Sequence, residues 1–113
     1  MIINNRGVNL HGDFATPEQR IPAMGFPGYW ESNITISNDR GFWYKGKDVT
    51  YKSKKELVRM LIDIASKGGN FLLNVGPNPD GTLTPMEIER LRDMGDWMKV
   101  NGESIYGTTQ TVF

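Results

Sequence analysis

Two segments in the second half of the chain show the spacing of apolar residues that is typical of amphipathic helices. In the first, SKKELVRMLIDIASKGG, apolar side chains recur three and four residues apart, which places them on one face of a helix. Ser53 and Glu56 have the spacing of a capping box at its start, and Gly68 can adopt a left-handed conformation at its end. The pattern predicts a helix over residues 53–66.

The second segment, TPMEIERLRDMGDWMKVNG, carries similar signals. Thr84 and Glu87 form another capping box, with Pro85 at the first helical position. Gly102 is expected to end the helix. The pattern predicts a helix over residues 85–100.

Between these helices lies a short, almost continuous apolar run at residues 71–75, followed by the turn sequence PNPDG. Such a run predicts a strand that is buried on both faces, as in a parallel sheet. MIIN and ESNITI are weaker strand candidates, and we expect the strand near 71–75 to run parallel to one near residues 2–5. The order of elements predicts an α/β fold. Three strands and two helices cannot close a barrel, so the chain is expected to be part of a larger fold.

Composition narrows the classes of function. The chain has 113 residues, of which 13 are basic and 13 acidic, so its formal net charge is zero. We therefore expect no long-range electrostatic attraction to nucleic acid or to an anionic membrane. It has no cysteine and a single histidine, His11, so we expect no metal site and no cofactor. The first ten residues lack the features of a signal peptide, and no apolar run approaches the roughly 20 residues of a membrane span. The sequence does not specify the cellular compartment.

A few side chains in the first half could carry chemistry. Glu18 lies in the turn-rich stretch GDFATPEQ, and Arg6 lies in NNRG. Trp30 in YWES, with Phe42 and Trp43 in GFWYKGKD, could stack on the apolar face of a sugar, although aromatic residues in such positions are at least as often part of a core.

Five motifs in a fixed order give the chain a specific resemblance. They are NNRG, GDFATPEQ-x-IP, YWES-x-x-TI, YKSKKELVRMLIDIASKGGNFLLNVGPNPDGTL and MGDWMKVNGESIYGT. Together they resemble glycoside hydrolase family 29, the retaining α-L-fucosidases, over nearly the whole chain. The resemblance implies a partial (β/α) barrel, made of the last strands and helices of a TIM-like barrel, with residues 1–113 as a single domain. It also implies a fucosylated oligosaccharide or glycoconjugate as the substrate.

The resemblance assigns roles to individual residues. Glu18 matches the general acid/base of the family. Arg6, twelve positions earlier, matches an arginine that contacts the sugar. Phe42 is the better match, and Trp43 the alternative, for an aromatic residue near the methyl group of fucose.

The nucleophile of the family has no match in this chain, because it is an aspartate on an earlier strand. Asp13, Glu31 and Asp39 are local carboxylates that could replace it, but none lies in a matching motif. The alternative to an enzyme is therefore a non-catalytic fragment that binds carbohydrate or assembles with other barrel segments.

The apolar residues of the second half lead to an expectation about assembly. In a complete barrel, neighbouring strands and helices would cover many of them, and a strand left at an edge tends to recruit a partner. We therefore expect the isolated chain to associate with itself or with a complementary barrel segment. The apolar residues in question, many of which neighbouring segments would cover, are Leu57, Met60, Leu61, Ile64, Phe71, Leu72, Leu73, Ile88, Leu91 and Met98.

Overall fold

The computed structural model describes residues 1–8, 12–38 and 49–110. Strand β1 and strand β2 form a parallel pair, with Glu31 opposite Asn70 and Thr35 opposite Asn74. A helix follows each strand in the chain, and a short 3₁₀ turn follows the second helix. In chain order the elements are β1 Glu31–Thr35, α1 Lys54–Ser66, β2 Asn70–Asn74, α2 Pro85–Asn101 and the 3₁₀ turn Gly102–Ser104. This order of a parallel strand pair with a helix after each strand confirms the predicted α/β class.

Helix α1 forms as the sequence predicted. The Ser53 hydroxyl accepts a hydrogen bond of 3.1 Å from the Glu56 N–H at its N-terminus. Leu57 and Ile64, seven residues apart on one face, are completely buried. Gly68 follows the helix with φ +79°, in the left-handed region that a side chain rarely adopts.

Helix α2 begins with the complete capping box, in which Thr84 and Glu87 each bond to the other's backbone, and with Pro85 in its first turn. The helix ends at Asn101 with Gly102 as its C-cap, as predicted. Gly102 keeps a right-handed conformation, with φ −56°, and begins the 3₁₀ turn. The left-handed glycine comes later, at Gly107, with φ +66°.

Strand β2 lies where the apolar run predicted it, but the expectation that both of its faces are buried is wrong for this chain. Leu72 is 44% exposed, while Phe71 packs against the core. Within the described residues β2 pairs with β1 alone, and the face that carries Phe71 packs toward α1. The other face, which carries Leu72, is left open by the described residues.

The expected strand at residues 2–5 is reduced to one isolated parallel bridge between Asn4 and Phe14. Side chains take over some of the bonding here: the Ile3 N–H, for example, donates to the Asp13 carboxylate at 2.6 Å. These bonds replace the regular ladder that a strand would need. The direction is nevertheless as predicted, because every pairing step from this bridge to β2 is parallel.

Residues 14–18 connect that bridge to β1. Ala15 forms a parallel bridge with Trp30, and Glu18 forms another with Asn33. Because paired residues on adjacent strands project to the same side, Glu18 and Asn33 share one face and Ala15 and Trp30 share the other.

The two faces of the sheet have different surroundings. On the helix side, Ala15, Trp30, Ile34 and Ile64 form the buried core. By the alternation of side chains along strands, the opposite side is mostly polar. We call it the polar face; it consists of Glu18, Glu31, Asn33, Thr35, Asn70, Leu72 and Asn74. Neither helix in the described part of the chain is long and apolar enough to cross a membrane.

Candidate functional site

Glu18 lies on a backbone that is fixed on both sides. The Gln19 N–H donates to the Asn33 carbonyl at 2.7 Å, and the Asn33 N–H donates to the Pro17 carbonyl at 3.0 Å. Pro17 is fully buried, whereas the Glu18 side chain is exposed. No described residue donates a hydrogen bond to its carboxylate, which is exposed.

The loop that carries Arg6 is joined directly to the segment that carries Glu18. The Thr16 N–H donates to the Gly7 carbonyl at 2.6 Å, and the Gly7 N–H donates to the Thr16 hydroxyl at 2.9 Å. The Asn4 side-chain oxygen accepts from the Thr16 hydroxyl at 2.9 Å and from the Arg6 N–H at 2.6 Å. Arg6 itself is exposed and has φ +54°. The structure therefore brings these two predicted site segments together.

Trp30 is in the core. Its side chain is 1% exposed and meets Phe26 edge-on, with ring centroids 6.2 Å apart. Gly69 leaves room for the indole, since a Cβ there would lie 2.4 Å from the ring. This burial argues against the predicted role of Trp30 in binding sugar.

Three other residues of the sequence analysis, Phe42, Trp43 and Asp39, lie outside the described residues. The two remaining candidates for a substitute nucleophile have clear positions. The Asp13 carboxylate accepts a hydrogen bond from the Ile3 N–H. Glu31 begins β1 and belongs to the polar face, on the same side of the sheet as Glu18.

The residue after Glu18 was not among the predicted site residues, but it contacts the end of β1. Gln19 has φ +56°, a left-handed conformation that costs a residue with a Cβ about 1–2 kcal/mol. Its side-chain amide donates to the Thr35 hydroxyl at 2.6 Å and accepts from the Thr35 N–H at 3.2 Å. Thr35 is the last residue of β1, so Glu18 lies near the carboxyl end of that strand. The motif TPEQ contains this glutamine, but nothing in its pattern indicates the conformation.

Lys52 also belongs to this end of β1. Its ammonium donates to the Thr35 carbonyl at 2.8 Å and to the Ser37 carbonyl at 2.5 Å. Burial lowers the pKa of Lys52, and the negative charge of Glu56 opposes that shift only in part. Lys52 therefore supports the carbonyls at the end of β1.

Asn33 offers a different kind of group. Its side-chain oxygen is buried and has no hydrogen-bond partner among the described residues, and the residue is paired with Glu18 on the polar face. A buried acceptor of this kind is usually satisfied by water or by a ligand. Among the described residues, no three acidic or histidine side chains gather where they could hold a metal ion.

This arrangement matches known proteins. A family model described as alpha-L-fucosidase matches residues 1–103. Human plasma alpha-L-fucosidase is 43% identical over 102 residues, which are 87% of this chain and 21% of that protein.

Solved structures agree. Alpha-L-fucosidase isoenzyme 1 from Paenibacillus thiaminolyticus superposes with a TM-score of 0.85 at 41% identity, over 90% of this chain and 25% of that one. Thermotoga maritima alpha-fucosidase in complex with fucose gives a TM-score of 0.80 at 37% identity, over 96% and 24%. The chain thus spans about a quarter of the length of these structures and about a fifth of its human relative. Since the family model covers all but the last ten residues, the chain belongs to the alpha-L-fucosidase family.

Proposed function

We propose that this chain supplies the acid/base part of the active site of a retaining α-L-fucosidase, with Glu18 as the residue that transfers the proton. The observation that carries the proposal is the position of Glu18: an exposed carboxylate on a fixed backbone near the carboxyl end of a parallel strand. Loops at the carboxyl ends of strands carry the active sites of barrel enzymes.

The chemistry requires this combination of fixed backbone and free carboxyl group. In the first step, protonated Glu18 gives its proton to the glycosidic oxygen as the aglycone leaves, while a nucleophile forms a bond to the anomeric carbon. In the second step, Glu18 takes a proton from water, which attacks the fucosyl-enzyme intermediate and restores the original configuration. Arg6, whose loop bonds to Thr16 through Gly7, would contact the hydroxyl groups of the sugar.

Retention also requires a second carboxyl group about 5–5.5 Å from the first. Asp13 is held by the Ile3 N–H, and the resemblance places the nucleophile upstream of the segment seen here. We therefore propose that this chain forms the last strands and helices of a TIM-like barrel, and that another segment or a second chain brings the nucleophile. The parallel βα arrangement and the open polar face support this proposal.

The proposed substrate is a fucosylated oligosaccharide or glycoconjugate. The Thermotoga relative was solved with fucose bound, which supports the same sugar here. Phe42, or Trp43 in its place, would line the pocket near the methyl group of fucose.

The test compares Glu18→Gln with Glu103→Gln in a preparation that hydrolyses fucosides. Glu103 is an exposed glutamate in the 3₁₀ turn and serves as the matched control. General acid assistance is worth about 10²–10⁴-fold, so Glu18→Gln should lower kcat/KM by that order for fucosides with poor leaving groups. For activated aryl fucosides kcat/KM should change little, because departure then needs little help from an acid.

Two results would overturn the proposal. Wild-type rates in Glu18→Gln would remove Glu18 from the mechanism. Binding of fucosylated glycan without any turnover, in the presence of the remaining barrel segments, would assign the chain to the non-catalytic alternative.

A further inference from the structure

We propose that Gln19 is a positioning residue for Glu18. Its side-chain amide forms two hydrogen bonds with Thr35, and these bonds fix the direction in which the Glu18 carboxylate projects. This inference rests on the proposed role of Glu18. We call the pair of hydrogen bonds between Gln19 and Thr35 the amide clamp.

The orientation of the clamp is determined by its partners. The Thr35 N–H can only donate, so the amide atom 3.2 Å from it must be the oxygen of Gln19. The amide nitrogen then faces the Thr35 hydroxyl at 2.6 Å and donates to it. Both atoms of the Gln19 amide head group are therefore used in holding one residue of β1.

Thr35 is a rigid anchor for this contact. It is 2% exposed and lies at the end of β1, within the parallel pair with β2. Its carbonyl, the one remaining polar group, accepts a hydrogen bond from the Lys52 ammonium at 2.8 Å. The backbone N–H, the hydroxyl and the carbonyl of Thr35 are thus all engaged, so the anchor cannot easily turn away from Gln19.

The clamp has a direct consequence for its neighbour. Gln19 has φ +56°, a conformation that non-glycine residues rarely adopt. The hydrogen bond from the Gln19 N–H to the Asn33 carbonyl holds one side of this turn, and the amide clamp holds the other. If the clamp is removed, the turn can relax toward negative φ. A change of backbone direction there moves the Glu18 side chain relative to the polar face, away from a bound glycosidic oxygen.

Substitutions can separate the clamp from the unusual backbone conformation. Gln19→Gly removes the amide but adopts positive φ freely, so it tests the clamp without adding strain. Thr35→Val removes the hydroxyl, and Thr35→Ser keeps it. Asn101→Ala is the control, because it removes a side-chain amide that bonds to the Trp97 carbonyl at the far end of α2.

The activity readout is kcat/KM for a fucoside with a poor leaving group, divided by kcat/KM for an activated aryl fucoside. A small misplacement of a catalytic group can cost on the order of 10²-fold. We expect this ratio to fall about 10- to 100-fold in Gln19→Gly. Thr35→Val should lower it less, since the bond from the Thr35 N–H remains. Thr35→Ser and Asn101→Ala should keep the wild-type ratio, because they leave the clamp intact.

A lower amount of folded protein would reduce both rates equally and leave the ratio unchanged. An unchanged ratio in Gln19→Gly would therefore overturn the positioning role, even if total activity fell.

Hydrogen exchange tests the clamp without using activity. In Gln19→Gly and Thr35→Val, the N–H groups of residue 19 and of Asn33 should exchange faster than in Thr35→Ser and Asn101→Ala. Equal exchange in all four variants would show that the clamp does not hold the turn, and would overturn the inference. If the four variants differ in exchange as expected, but the wild-type chain shows no fucosidase activity in the presence of the remaining barrel segments, the proposed function fails while the clamp stands as a structural feature.

Discussion

Glu18 and Glu87 are two glutamates with opposite surroundings. Glu87 is fully buried, and its carboxylate accepts hydrogen bonds from the Gly76 N–H at 2.8 Å and from both the N–H and the hydroxyl of Thr84. Glu18 is exposed and accepts none from the described residues. The Glu87 carboxylate holds the turn between β2 and α2, whereas the role proposed for Glu18 is proton transfer.

Replacing Glu87 with alanine should therefore affect stability. Glu87→Ala leaves several part-buried donors without an acceptor, so we expect the free energy of unfolding to fall by about 1–3 kcal/mol. Glu89→Ala is the control, because Glu89 is mostly exposed and its ion pair with Arg90 is 3.6 Å long. That change should cost less than about 0.5 kcal/mol. Urea unfolding measures both, and equal losses would contradict the structural role of Glu87.

The sequence did not determine whether Trp30 binds sugar or belongs to the core. Its neighbours in YWES fit a sugar platform as well as a core residue, because the same ring serves either purpose. Only the fold reveals that Gly69 and Phe26 enclose it. The left-handed conformation of Gln19 was equally hidden, since it depends on Thr35, sixteen residues away.

The helices and the strand between them were the most predictable elements. Their signals are local: a capping residue, a periodic apolar face, a terminal glycine. Helix α1 and helix α2 agree with the predicted ranges to within a residue at each end. Residues 14–18 pair with β1 through contacts between residues that are distant in sequence. Local sequence patterns do not reveal such contacts, so this pairing was not predicted.

The two faces of the sheet lead to a prediction at the level of elements. Ile64 is completely buried in the core, and Ile64→Ala should cost about 2–5 kcal/mol. Leu72 is on the polar face and 44% exposed, so Leu72→Ala should cost less than about 1 kcal/mol in the isolated chain, since it deletes only partly buried methyl groups. Unfolding in urea compares the two. A comparable loss in both variants would mean that the polar face is covered.

The whole molecule exposes more surface than a complete domain of its size. Its accessible area is 7821 Å², against roughly 6,300 Å² expected for a folded monomer of this mass. Its radius of gyration is 14.9 Å, against about 13 Å for a compact chain of this length. Ile88 and Leu91 on α2 are each more than a third exposed. These values fit a segment that other parts of a barrel would cover.

We therefore predict that the isolated chain is not a stable monomer. Apolar side chains on α2 and the edge of β2 that pairs with no described strand should drive association with another copy or with a complementary barrel segment. Fucosidase activity should depend on that association, because the proposed mechanism takes its nucleophile from another segment or chain. Light scattering and a fucoside assay over a dilution series measure both properties. A monomer with constant specific activity on dilution would contradict the prediction, and Glu31 would then be the first carboxylate to examine as a nucleophile.

The central claim, that Glu18 transfers the proton in a retaining mechanism, is tested most directly by giving Glu18→Gln an activated aryl fucoside and azide. Azide needs no base to attack the fucosyl-enzyme intermediate, so it should raise kcat and yield α-fucosyl azide, with the configuration of the substrate retained. The anomeric configuration is read by NMR. The β-fucosyl azide would instead identify Glu18 as the nucleophile, and the absence of any azide product or rate increase would contradict its role as the acid/base.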